Sequence, residues 1–457
     1  MLRVNFSFVN ILYYATKFFH LGSIKKKKMI SKDVMKIWKR KFSTGGETKR
    51  MVIMTGPSAI GKGKISKEMV SKFNSSLFLL SADSAKVYKH MDIGTNKTDL
   101  KELLELVYKR EDSQKIDFKK HNLDMVDPIK GGLYSKHAFA AEMKIRCEQL
   151  FSEKKTPFLV GGSTLYINSL LLKFLDRDFE LEKEEDSLEQ KELIESMLKD
   201  DKRRKEYLRW IEERDPKFMK EKLYNHRFNN YRVARTVIML KKLKKGETLS
   251  SVKDKESELQ EEMCDLFDDP SNNLDLRSFV IVPRNRVSLL EKVDKRCEKM
   301  LGEGLIEECL SLIEKGVNPQ SFAANLVGYK HCFDFIKKGK YNRSSLREMI
   351  FEFQSDTRKI IRTQVAQLKK QEIHLWTEIE SDEHESVAKK IDELCKMGKK
   401  EFCELRNSSR KSCLTSIPEN NKKNPPSLYF FKKEENIDSF LSNLIKTIKT
   451  KTSPQIK

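Results

Sequence analysis

The chain has 457 residues, 38% hydrophobic and 35% charged, which is room for about three domains of roughly 150 residues and for a sizeable buried core. No uncharged apolar run reaches the roughly 18 residues of a transmembrane helix, so no membrane partner is expected. Lys and Arg total 90 against 68 Asp and Glu, a net charge of +22, and such a balance draws polyanions such as nucleic acid or phosphorylated metabolites.

Residues 1–48 read as an N-terminal extension. Arg3, Lys17, Lys25, Lys26, Lys27, Lys28 and Lys32 occur before any acidic residue, a composition that suits a mitochondrial presequence. The plainer alternative is an untidy extension bypassed by starting at Met29 or Met35. The expected location is accordingly mitochondrial, cytoplasmic or both.

Folding signals begin at Arg50. An apolar run at 51–54 leads into a Gly-rich loop and a helical pattern to Phe73, which predicts strand, loop, helix. A second strand is expected at 77–80 and a third at 157–160, with a helix over 135–153 before it. Strands alternating with helices and ending in polar or Gly turns predict a parallel α/β sheet, with ligands at the carboxyl ends of the strands. The core is expected over 49–167. From 168 to 226 charged helical sequence, broken at Asp215-Pro216, predicts an inserted helical subdomain. The rest of the core is expected over 227–378: a helix at 231–243, an acidic, Ser-rich disordered loop at 250–273, a strand at 279–283, and helices at 286–303, 304–315, 341–353 and 355–371. Residues 379–457 read as a basic, mostly disordered tail. The eight cysteines form no CxxC, and the last histidine, His384, precedes Cys395, so neither a disulfide scaffold nor a zinc module is expected and no metal ligands are assigned.

The chemistry concentrates in the first turns. Gly56-Pro57-Ser58-Ala59-Ile60-Gly61-Lys62-Gly63 lies between strand and helix as a P-loop does. There the backbone N–H groups hold a diphosphate or triphosphate and Lys62 reaches its oxygens. Gly63 replaces the usual Ser or Thr that binds Mg²⁺, which weakens the metal site. Asp83, at the end of the neighbouring strand, is placed to bind a metal ion or to accept a proton, although an Asp there also serves as a turn former.

Further motifs follow in order. They are Ser81–Ser84 with Lys86, Tyr88, Asp92, Thr95 and Lys97; His121 with Asp124 and Asp127-Pro128; and Tyr134-Ser135 with Phe139. After these come Gly161-Gly162-Ser163 with Tyr166, Arg232 with Arg235, Gly304-Leu305 with Glu308, Gly328-Tyr329-Lys330, and Thr357-Arg358 with Thr363-Gln364. Together, over residues 52–376, they resemble the tRNA dimethylallyltransferases. The resemblance implies transfer of a prenyl group from dimethylallyl diphosphate to the exocyclic amine of the adenosine beside the anticodon, the base being flipped out of its stack.

On this resemblance Asp83 is the general base, Ser58 bonds the leaving oxygen, and Arg232 binds diphosphate together with the P-loop. Ser84, Lys86, Tyr88, Asp92, Thr95, Lys97, His121, Asp127, Gly161, Gly162, Ser163, Arg235 and Gln364 contact substrate or tRNA. Mg²⁺ and an anticodon stem-loop are the implied cofactor and partner, and a monomer is expected. The chain departs from the family pattern at Gly63, at Lys86 (Gln in the family), at Lys120 (His) and at Asn229 (Asp). An ammonium only donates hydrogen bonds where an amide also accepts. Two other classes therefore stay open: a non-catalytic RNA-binding descendant, and a P-loop kinase or NTPase, which would want a hydroxyl after Lys62.

Overall fold

The apolar run at 51–54 becomes the middle strand of the protein. The computed structural model describes residues 49–451, apart from 109–115, 131–133, 175–185, 225–229, 245, 270–272, 320, 381–382 and 414–424. The expected N-terminal extension and Asn229 thus lie outside the described residues. Strand β1 (Lys49–Thr55) pairs with β3 (Thr156–Val160) on one side and β4 (Leu274–Pro283) on the other. Strand β2 (Leu77–Ser81) flanks β3, and β5 (Leu375–Ile379) flanks β4. The order is β2-β3-β1-β4-β5, every pair parallel. A parallel sheet is covered on both faces, so its strands read as continuous apolar runs, and Met51, Val52, Ile53 and Met54 are all buried. The expected P-loop-type parallel sheet flanked by helices is what forms.

Helices α1 (Lys62–Glu68), α2 (Thr98–Tyr108), α3 (Lys136–Ser152) and α4 (Thr164–Phe174) belong to this first half. The insertion supplies α5 (Asp186–Lys199) and α6 (Asp201–Arg214), which end at Asp215. The Asp215 carboxylate accepts from Phe218 N at 2.9 Å, with Pro216 in the first turn, a capping arrangement that restarts the helix. Helix α7 (Asn230–Lys242) packs on α5 and α6 rather than on the sheet. Its Val233, Ala234, Val237 and Ile238 join Leu193, Met197 and Ile211 in a separate core. The boundary drawn at 226 therefore moves: the helix carrying Arg232 belongs with the insertion, because its apolar stripe at 3.6-residue spacing faces that way.

Three expectations are corrected. Residues 250–273 hold a helix, α8 (Leu249–Asp268), started by a Thr248–Ser251 capping box and anchored by buried Met263, Cys264 and Phe267. Strand β4 starts at Leu274, five residues earlier than expected, because the charges of Asp275 and Arg277 are buried as a pair at 2.7 Å. After α9 (Arg286–Gly302), α10 (Leu305–Glu314) and α11 (Tyr329–Lys338), the two helices expected over 341–371 are one, α12 (Arg343–Leu368).

The described part of the tail is also not a loose end. It supplies α13 (His384–Lys396), α14 (Lys399–Cys413) and α15 (Glu434–Lys451). Phe402, Phe431, Ile437, Leu441 and Leu444 are buried in the main core. The Glu298 carboxylate accepts from Tyr429 N at 2.8 Å and Phe431 N at 2.9 Å, and Asp294 accepts from Ser427 N at 2.9 Å. Emptying a buried phenylalanine site costs about 3 kcal/mol. Phe431→Ala should lower the free energy of unfolding by that amount and so shift the urea midpoint down, whereas a mobile tail would leave the midpoint unchanged.

Candidate active site

Three neighbouring strands, β1, β3 and β2, end side by side, and their outgoing turns interlock. Gly161 N donates to Met54 O at 3.2 Å, Ala82 N to Val160 O at 2.9 Å, and Ser163 N to Ala82 O at 3.3 Å. A Cβ built on Gly161 would lie 2.0 Å from Ala82 O, so only glycine lets the two turns meet. Ser84 N donates to Ser163 Oγ at 2.9 Å, and that hydroxyl donates on to Ser84 Oγ at 3.1 Å. Gln364 of α12 closes the third side. Its Oε1 accepts from Ser58 N at 3.0 Å and Ser58 Oγ at 3.4 Å, and its Nε2 donates to Gly162 O at 3.1 Å. The structure thus gives Ser163, Gly162 and Gln364 a scaffold position between the strand-end turns.

The P-loop has the strand–loop–helix setting expected of it, with Ala59 in the left-handed region at φ +65°. Lys62 Nζ donates to Gly56 O and Pro57 O, both at 2.8 Å. Burial pushes its pKa down to about 7, with the Asp83 charge opposing that and Arg296 and Lys86 adding to it. Lys86 is pushed down to about 8 by burial, again against Asp83 and with Arg296, and its amine donates to Asn96 O. Asp83 Oδ1 accepts from Ala85 N at 2.9 Å, which fixes the carboxylate at the strand end.

Arg296, on α9, is the residue that the sequence reading missed. Burial lowers its pKa while the charges of Cys297 and Asp83 raise it. Two lysines and an arginine, each half-buried, thus feel the charge of Asp83, with Asp99 adding to it for Lys86 and Arg296, and burial still outweighs that negative charge, which suits a polyanion. A signal was present, because Arg296 sits in helical register with the buried stripe Leu289, Val293, Cys297 and Met300.

Other expected site residues take bracing roles. Lys97 is fully buried, donating to Tyr88 O and Asp124 Oδ1 at 2.5 Å and pairing with Asp92 at 3.0 Å. Thr95 Oγ1 donates to Met91 O at 2.6 Å, and Tyr88 is buried. Glu308 of α10 accepts from Asp92 N at 2.8 Å, Ile93 N at 3.0 Å and Tyr329 OH at 2.5 Å. Hence the Gly304–Glu308 and Gly328–Lys330 motifs serve to shape the 88–97 loop. His121 is buried in a stack on Phe78 with Nδ1 2.6 Å from Leu79 O, and burial pushes its pKa down to about 4. Asp127 accepts from Ile129 N at 3.0 Å in a turn. Arg232 is exposed and Arg235 half-buried on α7.

A divalent cation finds few ligands. Gly63 has no hydroxyl, and a Cβ on it would meet open space. Among the described residues no cluster of three His, Cys, Asp or Glu could hold a metal. Asp83 alone does not make a protein-held Mg²⁺ site.

A family profile described as IPP transferase matches residues 86–371. The chain belongs to the IPP transferase family. The tRNA dimethylallyltransferase of Acetivibrio thermocellus is 30% identical to it over 75% of this chain and 96% of that one. The enzyme of the same name from Finegoldia magna is 29% identical over 72% and 90%. Similar solved structures include the tRNA delta(2)-isopentenylpyrophosphate transferase of Staphylococcus epidermidis, at 24% identity, 75% and 97% coverage and a TM-score of 0.46. The Gly56–Gly63 loop and Asp83 precede the residues matched by the profile.

Because Lys62 has a pKa near 7 without a ligand, a bound polyanion, which favours the ammonium, raises it. Above pH 7 binding then takes up a proton, and affinity falls by up to about tenfold per pH unit as pH rises to 9. Calorimetry of diphosphate binding in two buffers of different ionisation heat should show this uptake; equal heats would contradict it.

Proposed function

We propose that the protein transfers a dimethylallyl group from dimethylallyl diphosphate to N6 of the adenosine 3′ of the anticodon in tRNA. The observation that carries this reading is the Gly56–Gly63 turn, bonded through Gln364 to the turn after β3, with Lys62 and Lys86 in the field of the Asp83 carboxylate. The names of the family relatives support it.

In this reading the diphosphate lies on Gly56–Gly63 with Lys62 and Arg296 countering its charge. Arg232 and Arg235 approach from the insertion once tRNA is held. The amine nitrogen attacks the first prenyl carbon, a C–N bond forms, and the C–O bond breaks with its electron pair leaving on diphosphate. Asp83 accepts the amine proton, and the Ser58 hydroxyl donates to the leaving oxygen. The Lys86 ammonium, a pure donor, is matched to a ring-nitrogen acceptor of the flipped base. A Mg²⁺ ion, were one bound with the diphosphate, would offset its charge, with Asp83 the nearest carboxylate this chain could offer it.

Basic runs on the insertion supply phosphate contacts and a salt-dependent share of tRNA binding. Part of that charge is countered locally, as in Lys205–Asp201 at 3.1 Å and Lys241–Glu189 at 2.8 Å. We extend the reading to a monomer acting in mitochondria, the cytoplasm or both.

The test is label transfer from dimethylallyl diphosphate to an anticodon stem-loop with adenosines after the anticodon. Wild type should label the RNA, and Asp83→Asn should lose about 10²–10⁴ of the rate while still binding the stem-loop. Tight binding without label in the wild type would favour the non-catalytic reading, and nucleotide hydrolysis without label would favour an NTPase.

A further inference from the structure

The helix that follows the family match reaches back to the P-loop. Gly61 caps α1 with φ +101°, and a Cβ built on it would lie 2.6 Å from Nε2 and 2.8 Å from Cδ2 of His384. His384 opens α13, beyond residue 371 where the family profile ends. Helix α13 packs along α1 and the turn after it. It is anchored by buried Val387, Ala388 and Ile391. Beside them Lys72 Nζ bridges Glu385 at 3.0 Å and Glu68 at 2.9 Å.

We propose that His384 is a positioning residue for the diphosphate site, its imidazole ring packed against Gly61 to hold the turn that aims Lys62 and the loop N–H groups. This rests on the diphosphate reading of the P-loop. The physical need is specific. A left-handed turn calls for glycine, and glycine has the widest backbone freedom of any residue. An unsupported Gly61 would lose that freedom each time the anion bound, whereas a ring already seated over its Cα removes it beforehand and so strengthens binding. Shape carries the effect, so another flat ring at position 384 preserves it.

The experiment measures inorganic diphosphate binding to the full chain by calorimetry, alongside steady-state kinetics, for wild type, His384→Ala and His384→Phe. His384→Ala should weaken diphosphate binding by about three- to tenfold and raise KM for dimethylallyl diphosphate by the same factor. The same variant should keep kcat, the melting temperature and stem-loop affinity close to wild type, and His384→Phe should restore most of the loss. Unchanged diphosphate affinity in His384→Ala, an equal loss of stem-loop affinity, or no rescue by His384→Phe would each overturn the proposal. A wild type that binds no diphosphate would overturn the P-loop reading and this inference with it, an outcome visible before any variant is compared.

Discussion

The side-chain amide of Gln364 is the joint on which the candidate site depends. One atom of it accepts from the backbone and hydroxyl of Ser58 in the P-loop, and the other donates to Gly162 at the end of β3. An amide is suited to this place because it donates and accepts at once, whereas a carboxylate or an ammonium would leave one of the two loops unpaired. Gln364 comes from the long helix α12, so the position of the phosphate loop relative to the β3 turn is set by a residue some three hundred positions away. The neighbouring contact of Thr164 Oγ1 with Gln367 Oε1 repeats the link one turn further along the helix.

Around that joint the charges are arranged in two grades. Cations that brace the fold are matched with carboxylates at close range, as Lys97 is with Asp92 and Asp124, Arg358 with Asp294, and Arg406 with Asp268. Such matching offsets the cost of desolvation. Lys62, Lys86 and Arg296 instead share Asp83, and burial depresses the pKa of all three. A half-buried excess of positive charge is unfavourable for the empty protein and favourable for an anion that enters. This contrast separates the candidate-site cations from those that brace the fold more sharply than sequence position does.

The motifs expected to touch substrate divide along the same line. Asp92, Thr95, Lys97 and Tyr88 lie within one short stretch, and their polar atoms bond one another or the backbone nearby. Glu308 and Tyr329 reach that stretch from two separate helices. The family resemblance assigns Tyr88, Asp92, Thr95 and Lys97 to substrate or tRNA contact. In the fold their bonds set the shape of the 88–97 loop, whose Asn96 O accepts from the Lys86 amine.

The sequence by itself determined the parallel sheet, the Gly-rich loop between its strand and helix, Asp83 at a strand end, and the charged helical insertion, but it set the Asp83 strand directly beside the first strand, where the fold inserts β3 between them. Each of these is written in local patterns, namely apolar runs, glycine spacing and helical periodicity, which act over a few residues. Only the tertiary structure decided that Arg296 of α9 feels the charge of Asp83, that Gln364 clamps the Gly56–Gly63 loop, and that the helix carrying Arg232 belongs to the insertion. It alone turned the charged segments after Glu380 into helices packed on the core, because their few apolar residues, such as Phe402 and Phe431, gain stability only from partners far away in the chain.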